Sequence, residues 1–258
     1  MSGLEGKRVL VVGASAGIGR SFAIECVRRG ASVVVAARRA DRLDELVTEA
    51  GGGVALVADV ASTADCERLA VETVAAVGPL DLVLYAAGTA TLRHVPDMRA
   101  DDWEQVLRTN FLGFQQMARA LAPGALAPAA VVGALSSEIV GHPRHGMVGY
   151  AVSKAALEEV LRGWRLECPE VRFCTVTVGA TQPTEFGDAF DADALVPILD
   201  QWIRHGQLPG TFMDTHELAA LLGDLFATML AHPGIGIEHL LVRSPAPPMT
   251  TLDELPPQ

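Results

Sequence analysis

The stretch Arg8-Val-Leu-Val-Val-Gly-Ala-Ser-Ala-Gly-Ile-Gly19 decides how the rest of the chain is read. Its apolar residues are consecutive rather than alternate, the mark of a strand buried on both faces. Three glycines follow, Gly13, Gly17 and Gly19, and then a segment of helical period over 17–29. Glycine lets the backbone turn sharply and approach a neighbour closely. A helix start adds free N–H groups and the positive end of a dipole, which together suit a pyrophosphate. On its own the cluster also reads, less well, as a tight turn; its place at the first strand–helix junction strengthens the reading as a ligand loop, formed by Gly13, Ser15, Ala16, Gly17, Ile18 and Gly19.

Outward from this junction the same alternation repeats. Apolar runs at 8–14, 32–38, 54–60, 80–88, 129–137, 171–179 and 237–243 read as strands, and 17–29, 41–50, 63–77, 99–121, 150–167 and 215–231 as helices. Asp41 and Thr63 are expected N-caps, and Gly30 and Gly78 the stops. Such repetition means right-handed βαβ units and an α/β, doubly wound parallel sheet of about seven strands with helices on both faces. No repeat or linker splits the chain, so residues 1–258 are read as one domain. The segment 179–214 is too long for an ordinary connection and reads as a substrate loop or lid. The proline-rich 244–258 reads as an extended, frayed tail.

Half of the residues are hydrophobic and the net charge is −11, which disfavours nucleic acid and anionic membrane as partners. Cys26, Cys66, Cys168 and Cys174 lack metal-ligand spacing, and no metal is expected. With no signal peptide or spanning segment apparent, the expectation is a cytoplasmic protein.

The end of the second strand carries Ala36-Ala37-Arg38-Arg39 and no acid. A carboxylate there would accept from an adenosine ribose and repel a 2′-phosphate. Arginine instead grips a phosphate, so NADP(H) is favoured over NAD(H), with Arg38 the leading contact beside Arg39. The alternative is that both arginines only solvate a loop. Asp59-Val60, ending the third strand, either accepts from an adenine amino group or caps its own loop.

Of two tyrosines in the chain, one lies in Tyr150-Ala-Val-Ser-Lys154. One helical turn puts both side chains on one face, and a nearby ammonium favours a phenolate. Ser137 ends the fifth strand at the carboxyl edge of the sheet. Asn110, followed by Gly113, sits mid-helix against local preference, as residues at functional sites do more often.

Together, Gly13-Ala-Ser-Ala-Gly17-Ile-Gly19, Asp59-Val60, Asn110, Ser137 and Tyr150-Ala-Val-Ser-Lys154 resemble the short-chain dehydrogenase/reductase family over nearly the whole chain. The resemblance implies a single-domain Rossmann-type fold, usually a homotetramer or homodimer, acting on a small-molecule carbonyl or alcohol. It implies Tyr150 as general acid/base, Ser137 as the hydrogen bond to the substrate oxygen, and Asn110 as holder of a relay water. Lys154 would bind the nicotinamide ribose and lower the tyrosine pKa. Two departures stand out. Tyr85-Ala86-Ala87-Gly88 replaces Asn-Asn-Ala-Gly, though Ala87 and Gly88 keep room for a cofactor. Val178-Gly179 replaces Pro-Gly, leaving Gly179 with Thr181 or Thr184 to meet the carboxamide or a phosphate.

Two other readings remain: a non-catalytic, NADP(H)-sensing regulator, and a 3-oxoacyl-thioester reductase with Arg93, Arg99, Arg108 and Arg144 facing a carrier protein. His142 and His145 read as a polar loop. Leu161 and Trp164 read as core or subunit interface, and Phe186, Phe190, Leu195, Trp202 and Phe212 as an apolar substrate wall.

Overall fold

A computed structural model describes residues 3–251 except 123 and 189. Strands β1 (Arg8–Val12), β2 (Ser32–Ala37), β3 (Val54–Val57), β4 (Leu80–Tyr85), β5 (Leu126–Ser137) and β6 (Arg172–Val178) appear in chain order. A short β7 (Thr181–Gln182) and β8 (Met213–Asp214) pair with each other, and β9 (His239–Val242) closes the main sheet. The main sheet is seven-stranded and parallel throughout, in the order β3-β2-β1-β4-β5-β6-β9. Strand order reverses between β1 and β4, and the cleft beyond their carboxyl ends is where ligands bind in such sheets.

Helices α1 (Gly17–Arg28), α2 (Ala40–Ala50), α3 (Thr63–Val77), α4 (Ala100–Leu107), α5 (Gly113–Leu121), α6 (Val148–Glu167), α7 (Ala192–Arg204) and α8 (Thr215–Ala231) cover it. The consecutive apolar runs are explained by two cores. Val9 and Val11 of β1 face α1 and α8 with Phe22, Leu222 and Phe226. Leu10 and Val12 face α3, α5 and α6 with Leu69, Phe114 and Leu157. Both faces of the central strands are dry, so β1 is apolar throughout after Arg8, and the polar strand residues Ser136, Ser137, Thr175 and Thr177 lie towards the carboxyl ends of β5 and β6.

The structure corrects several expectations. The N-caps are Arg39, two residues before Asp41, and Ser62, one before Thr63; Ser62 Oγ accepts from Asp65 N at 3.2 Å. Gly78 does end α3, its N–H donating to Val74 O. The single helix expected over 99–121 is broken by a π-turn, Arg108–Leu112. The segment 179–214 is not irregular throughout: Asp191 caps α7, which continues past Pro197. Leu161 is wholly buried in the core, and the partly buried Trp164 lies against Phe173 while donating to Gln115. The tail is docked at its start: Met249 is buried and donates from its N–H to Leu208 O at 2.8 Å. Residues 252–258 of that expected tail lie outside the described residues. Among the described residues, no helix is long and apolar enough to cross a membrane.

Candidate active site

At the switch point the glycines are required by close packing. A Cβ at Gly13 (φ +86°) would lie 2.4 Å from Ala87 N, and one at Gly19 would lie 2.4 Å from Gly13 O. The loops after β1 and β4 and the start of α1 are thus packed backbone to backbone. Ile18 buries its side chain against the first core. Ala16 caps α1 with no side-chain hydrogen bond, and the first turn carries no acid. The amides of Gly17, Ile18 and Gly19 therefore lack the usual competitor for an anion. Gly88 is exposed, and a Cβ there would stand 3.5 Å from Lys154 Nζ and 3.6 Å from Asn110 Oδ1. A cradle for a dinucleotide, open at Gly88 and uncapped at α1, fits these residues.

At the far end of the cradle the two arginines differ. Arg38 is exposed and makes no hydrogen bond or ion pair among the described residues. Arg39 turns back over the glycine loop, donating to Ser15 Oγ at 2.9 Å and pairing with Glu185 at 2.6 Å. Asp59 caps its own loop through Ala61 N at 2.9 Å, and Val60 is buried in the second core. Cβ and Cγ atoms of Val60 would crowd a side chain at Gly113.

Near the carboxyl end of β5, Ser137, Tyr150 and Lys154 come together. Burial pushes the half-buried Tyr150 phenol up to about 12; a hydrogen bond with Ser137, then the charge of Arg144, pull the other way. Lys154 is buried, donates from Nζ to Leu135 O at 2.8 Å, and stands 5.7 Å from the Tyr150 ring centroid. Desolvation lowers its own pKa to about 8, opposed by Glu158 one turn on, which Ser136 holds through a 2.6 Å hydrogen bond. The amine is turned to a carbonyl and faces the ring, while Ser137 and Arg144 act on the hydroxyl, and burial outweighs both.

Asn110 is wholly buried in the π-turn. Its Nδ2 donates to Thr89 O and Ser153 Oγ, and its Oδ1 accepts from Thr89 N, each at 2.8 Å. Both amide protons are thus engaged by protein, and the side chain clamps the β4 loop to α6. The departure at Tyr85 belongs to the same device. Its buried hydroxyl donates to Thr109 O at 2.5 Å, a carbonyl that the π-turn has displaced, and its ring meets Phe114 edge-on at 5.5 Å. A Cβ at Gly113 would fall 2.6 Å from that hydroxyl. Gly113 thus makes room for the Tyr85 hydroxyl, while Asn110 serves Thr89 and Ser153.

The 179–214 segment closes the cleft. Gly179 packs on Arg243 and Glu138, and Thr181 spends its hydroxyl on Gly179 O at 2.9 Å. Thr184 reaches the loop instead, 3.3 Å from where a Cβ on Gly17 would be. Phe186 meets the Tyr150 ring at 4.9 Å and Phe190 at 5.9 Å. Tyr150 and Phe190 pack against a third, smaller core that includes Ile139, Met147, Ile198 and Trp202, while Phe186 stays exposed at its edge. Trp202 Nε1 donates to His145 O at 2.7 Å, and the His145 ring stacks on His205 at 4.8 Å, so His145 docks the lid rather than idling in a polar loop. Phe212 and Phe190 are partly buried at this core's edge, and Leu195 is half-exposed. Glu185, Glu138, Glu158 and Ser153 were not singled out in the sequence. Only Ser153, inside the Tyr150–Lys154 motif, carried a signal.

A profile of the short-chain dehydrogenase family matches residues 7–194. The chain belongs to this family. A probable tetrahydroxynaphthalene reductase of Zymoseptoria tritici is 31% identical over 189 residues, 70% of this chain and 69% of that protein. A versicolorin reductase of Emericella nidulans is 29% identical over 86% of this chain and 83% of that protein. The fold is shared with an alcohol dehydrogenase of Thermococcus sibiricus, at 22% identity and a TM-score of 0.78, over 93% of this chain and 97% of that one. The short-chain dehydrogenases are oxidoreductases, and this chain is an enzyme of that class.

Proposed function

We propose that this short-chain dehydrogenase is an NADP(H)-dependent reductase of apolar ketones, with Tyr150 as the proton donor. The observation that carries the reading is a half-buried phenol at the carboxyl rim of β5, one helical turn from the buried Lys154 and with its ring 5.7 Å from that amine. When bound, the nicotinamide supplies or accepts the hydride. Ser137 and Tyr150 hold the carbonyl oxygen between two hydroxyl donors. Tyr150 passes its proton to that oxygen as negative charge develops there. Lys154 lies beside the open face of Gly88, suited to a ribose hydroxyl, and Asn110 keeps the β4 loop and α6 in register around it. Arg39 at Ser15, with α1 uncapped, supports a phosphate-bearing cofactor.

The third core favours an apolar substrate, walled by Phe186, Phe190, Trp202 and Met147. The reductases of aromatic polyols and polyketides among the relatives agree with that class. A carrier-protein partner draws less support, because Arg93, Arg99, Arg108 and Arg144 are each paired with a carboxylate of this chain. Four free cysteines suit a reducing cytoplasm, and homo-oligomerisation follows the family's habit.

Tyr150→Phe tests the reading. The variant is expected to bind NADPH within about twofold of wild type yet lose ketone-reduction turnover by roughly 10²–10⁴-fold. Turnover equal to wild type removes Tyr150 from the chemistry.

A further inference from the structure

Three consecutive lid residues touch three parts of the cleft at once. Thr184 covers Gly17 at the helix start, Glu185 pairs with Arg39 at 2.6 Å, and Phe186 lies edge-on to Tyr150 at 4.9 Å. Arg42, on the next turn of α2, also reaches Glu185 at 4.0 Å. The second strand lacks a carboxylate of its own, and Glu185 brings one to the arginine from 146 residues away in the chain (185 minus 39). The strap is tethered behind by the β7–β8 pair, whose register joins Thr181 to Met213 and Gln182 to Asp214. It is tethered ahead by Phe190 in the third core. Between these tethers, movement of Glu185 carries Phe186 with it.

We propose that Glu185 is a cofactor-selectivity residue: its carboxylate holds the arginine cluster that a 2′-phosphate would take, so phosphate binding and strap docking exclude each other. This rests on the reading that Arg39 receives the phosphate. A phosphate of charge near −2 and a carboxylate do not share one guanidinium without repulsion. The phosphate offers more charge and more acceptors, so it wins Arg39 and Arg42 and releases Glu185. Release of Glu185 draws Phe186 off Tyr150 and opens the substrate side. A cofactor without the phosphate leaves the latch closed. Glu185 thus weakens phosphate binding slightly in exchange for coupling it to opening of the lid.

The test uses the whole chain and two nucleotides lacking nicotinamide, adenosine 2′,5′-bisphosphate and 5′-AMP, titrated by calorimetry. The Arg39–Glu185 pair is half-exposed, so Glu185→Gln is expected to tighten the bisphosphate only about two- to fivefold. Its 5′-AMP affinity stays within experimental error of wild type. In wild type, the bisphosphate also speeds chymotryptic cleavage after Phe186, and 5′-AMP does not. Arg39→Met separates the two readings. Should it weaken the bisphosphate while Glu185→Gln changes nothing and cleavage is indifferent to the bisphosphate, the latch is wrong and the phosphate site stands. Should Arg39→Met leave the bisphosphate unaffected, the phosphate reading fails and the latch with it.

Discussion

The cradle at the end of β1 and the lid over 179–214 face each other across one cleft and are built on opposite principles. In the cradle, backbone meets backbone: Gly13, Ala87 and Gly19 leave no room for a methyl group. In the lid, side chains meet side chains: Phe186 on Tyr150, Trp202 on His145, Glu185 on Arg39. Backbone packing fixes a site rigidly and tolerates no substitution. Side-chain docking yields contacts that are made and released for about a kilocalorie each. A cofactor platform needs the first kind, and a gate needs the second.

The largest effect expected from breaking this contrast is at Gly13. Gly13→Ala adds a Cβ inside the Ala87 backbone at a φ of +86° and is expected to destabilise the fold by about 2–4 kcal/mol, read from urea unfolding. A loss under about 0.5 kcal/mol would mean that the two loops are not locked together.

Lys154 sharpens the contrast from the other side, because it is a buried charge kept at a cost. Its folded pKa, about 8, lies below its unfolded value, so the native state disfavours the ammonium. Below pH 8 both states are protonated and the whole cost is present. As pH rises from 8 towards 10.5 the native amine releases its proton first and the cost fades. Lys154→Met is therefore expected to stabilise the unliganded protein by about 1–3 kcal/mol at pH 7, after allowing for the lost bond to Leu135 O. That gain shrinks by pH 10. Equal stability of both proteins at pH 7 and pH 10 contradicts it.

The smallest effect belongs to the lid. Trp202→Phe removes the hydrogen bond to His145 O and is expected to cost about 1 kcal/mol of local lid stability. Hydrogen exchange should rise in 192–204 while the sheet amides stay protected. Uniform exchange across both regions would merge the lid with the core.

This contrast also explains what the sequence revealed. The seven strands and the helices between them were legible because both sheet faces are dry, so burial wrote itself into consecutive apolar residues. Spacing singled out Ser137, Tyr150 and Lys154, proposed here for proton transfer, and the structure gathers them at one rim. Three features were not legible. The π-turn is met by Tyr85, 24 residues from its partner Thr109 in the chain. Helix α7 is capped by Asp191 but contains Pro197, and the proline masked the helical period. The arginine nearest the glycine loop is Arg39, not the neighbouring Arg38, because the chain enters α2 at that residue and turns its side chain back. In the first and third cases a long-range contact overrode a local rule.

The most direct measurement is the ultraviolet titration of tyrosinate in the unliganded protein. Only two tyrosines are present, and burial holds Tyr85 well above the ordinary phenol range, so the first to ionise reports Tyr150. The account predicts no tyrosinate signal from pH 7 to pH 10, because Tyr150 stays protonated to about 12 and is poised to donate. A titration with a midpoint below about pH 9 that disappears in Tyr150→Phe would show a phenolate instead, and would contradict the proton donor at the centre of the account.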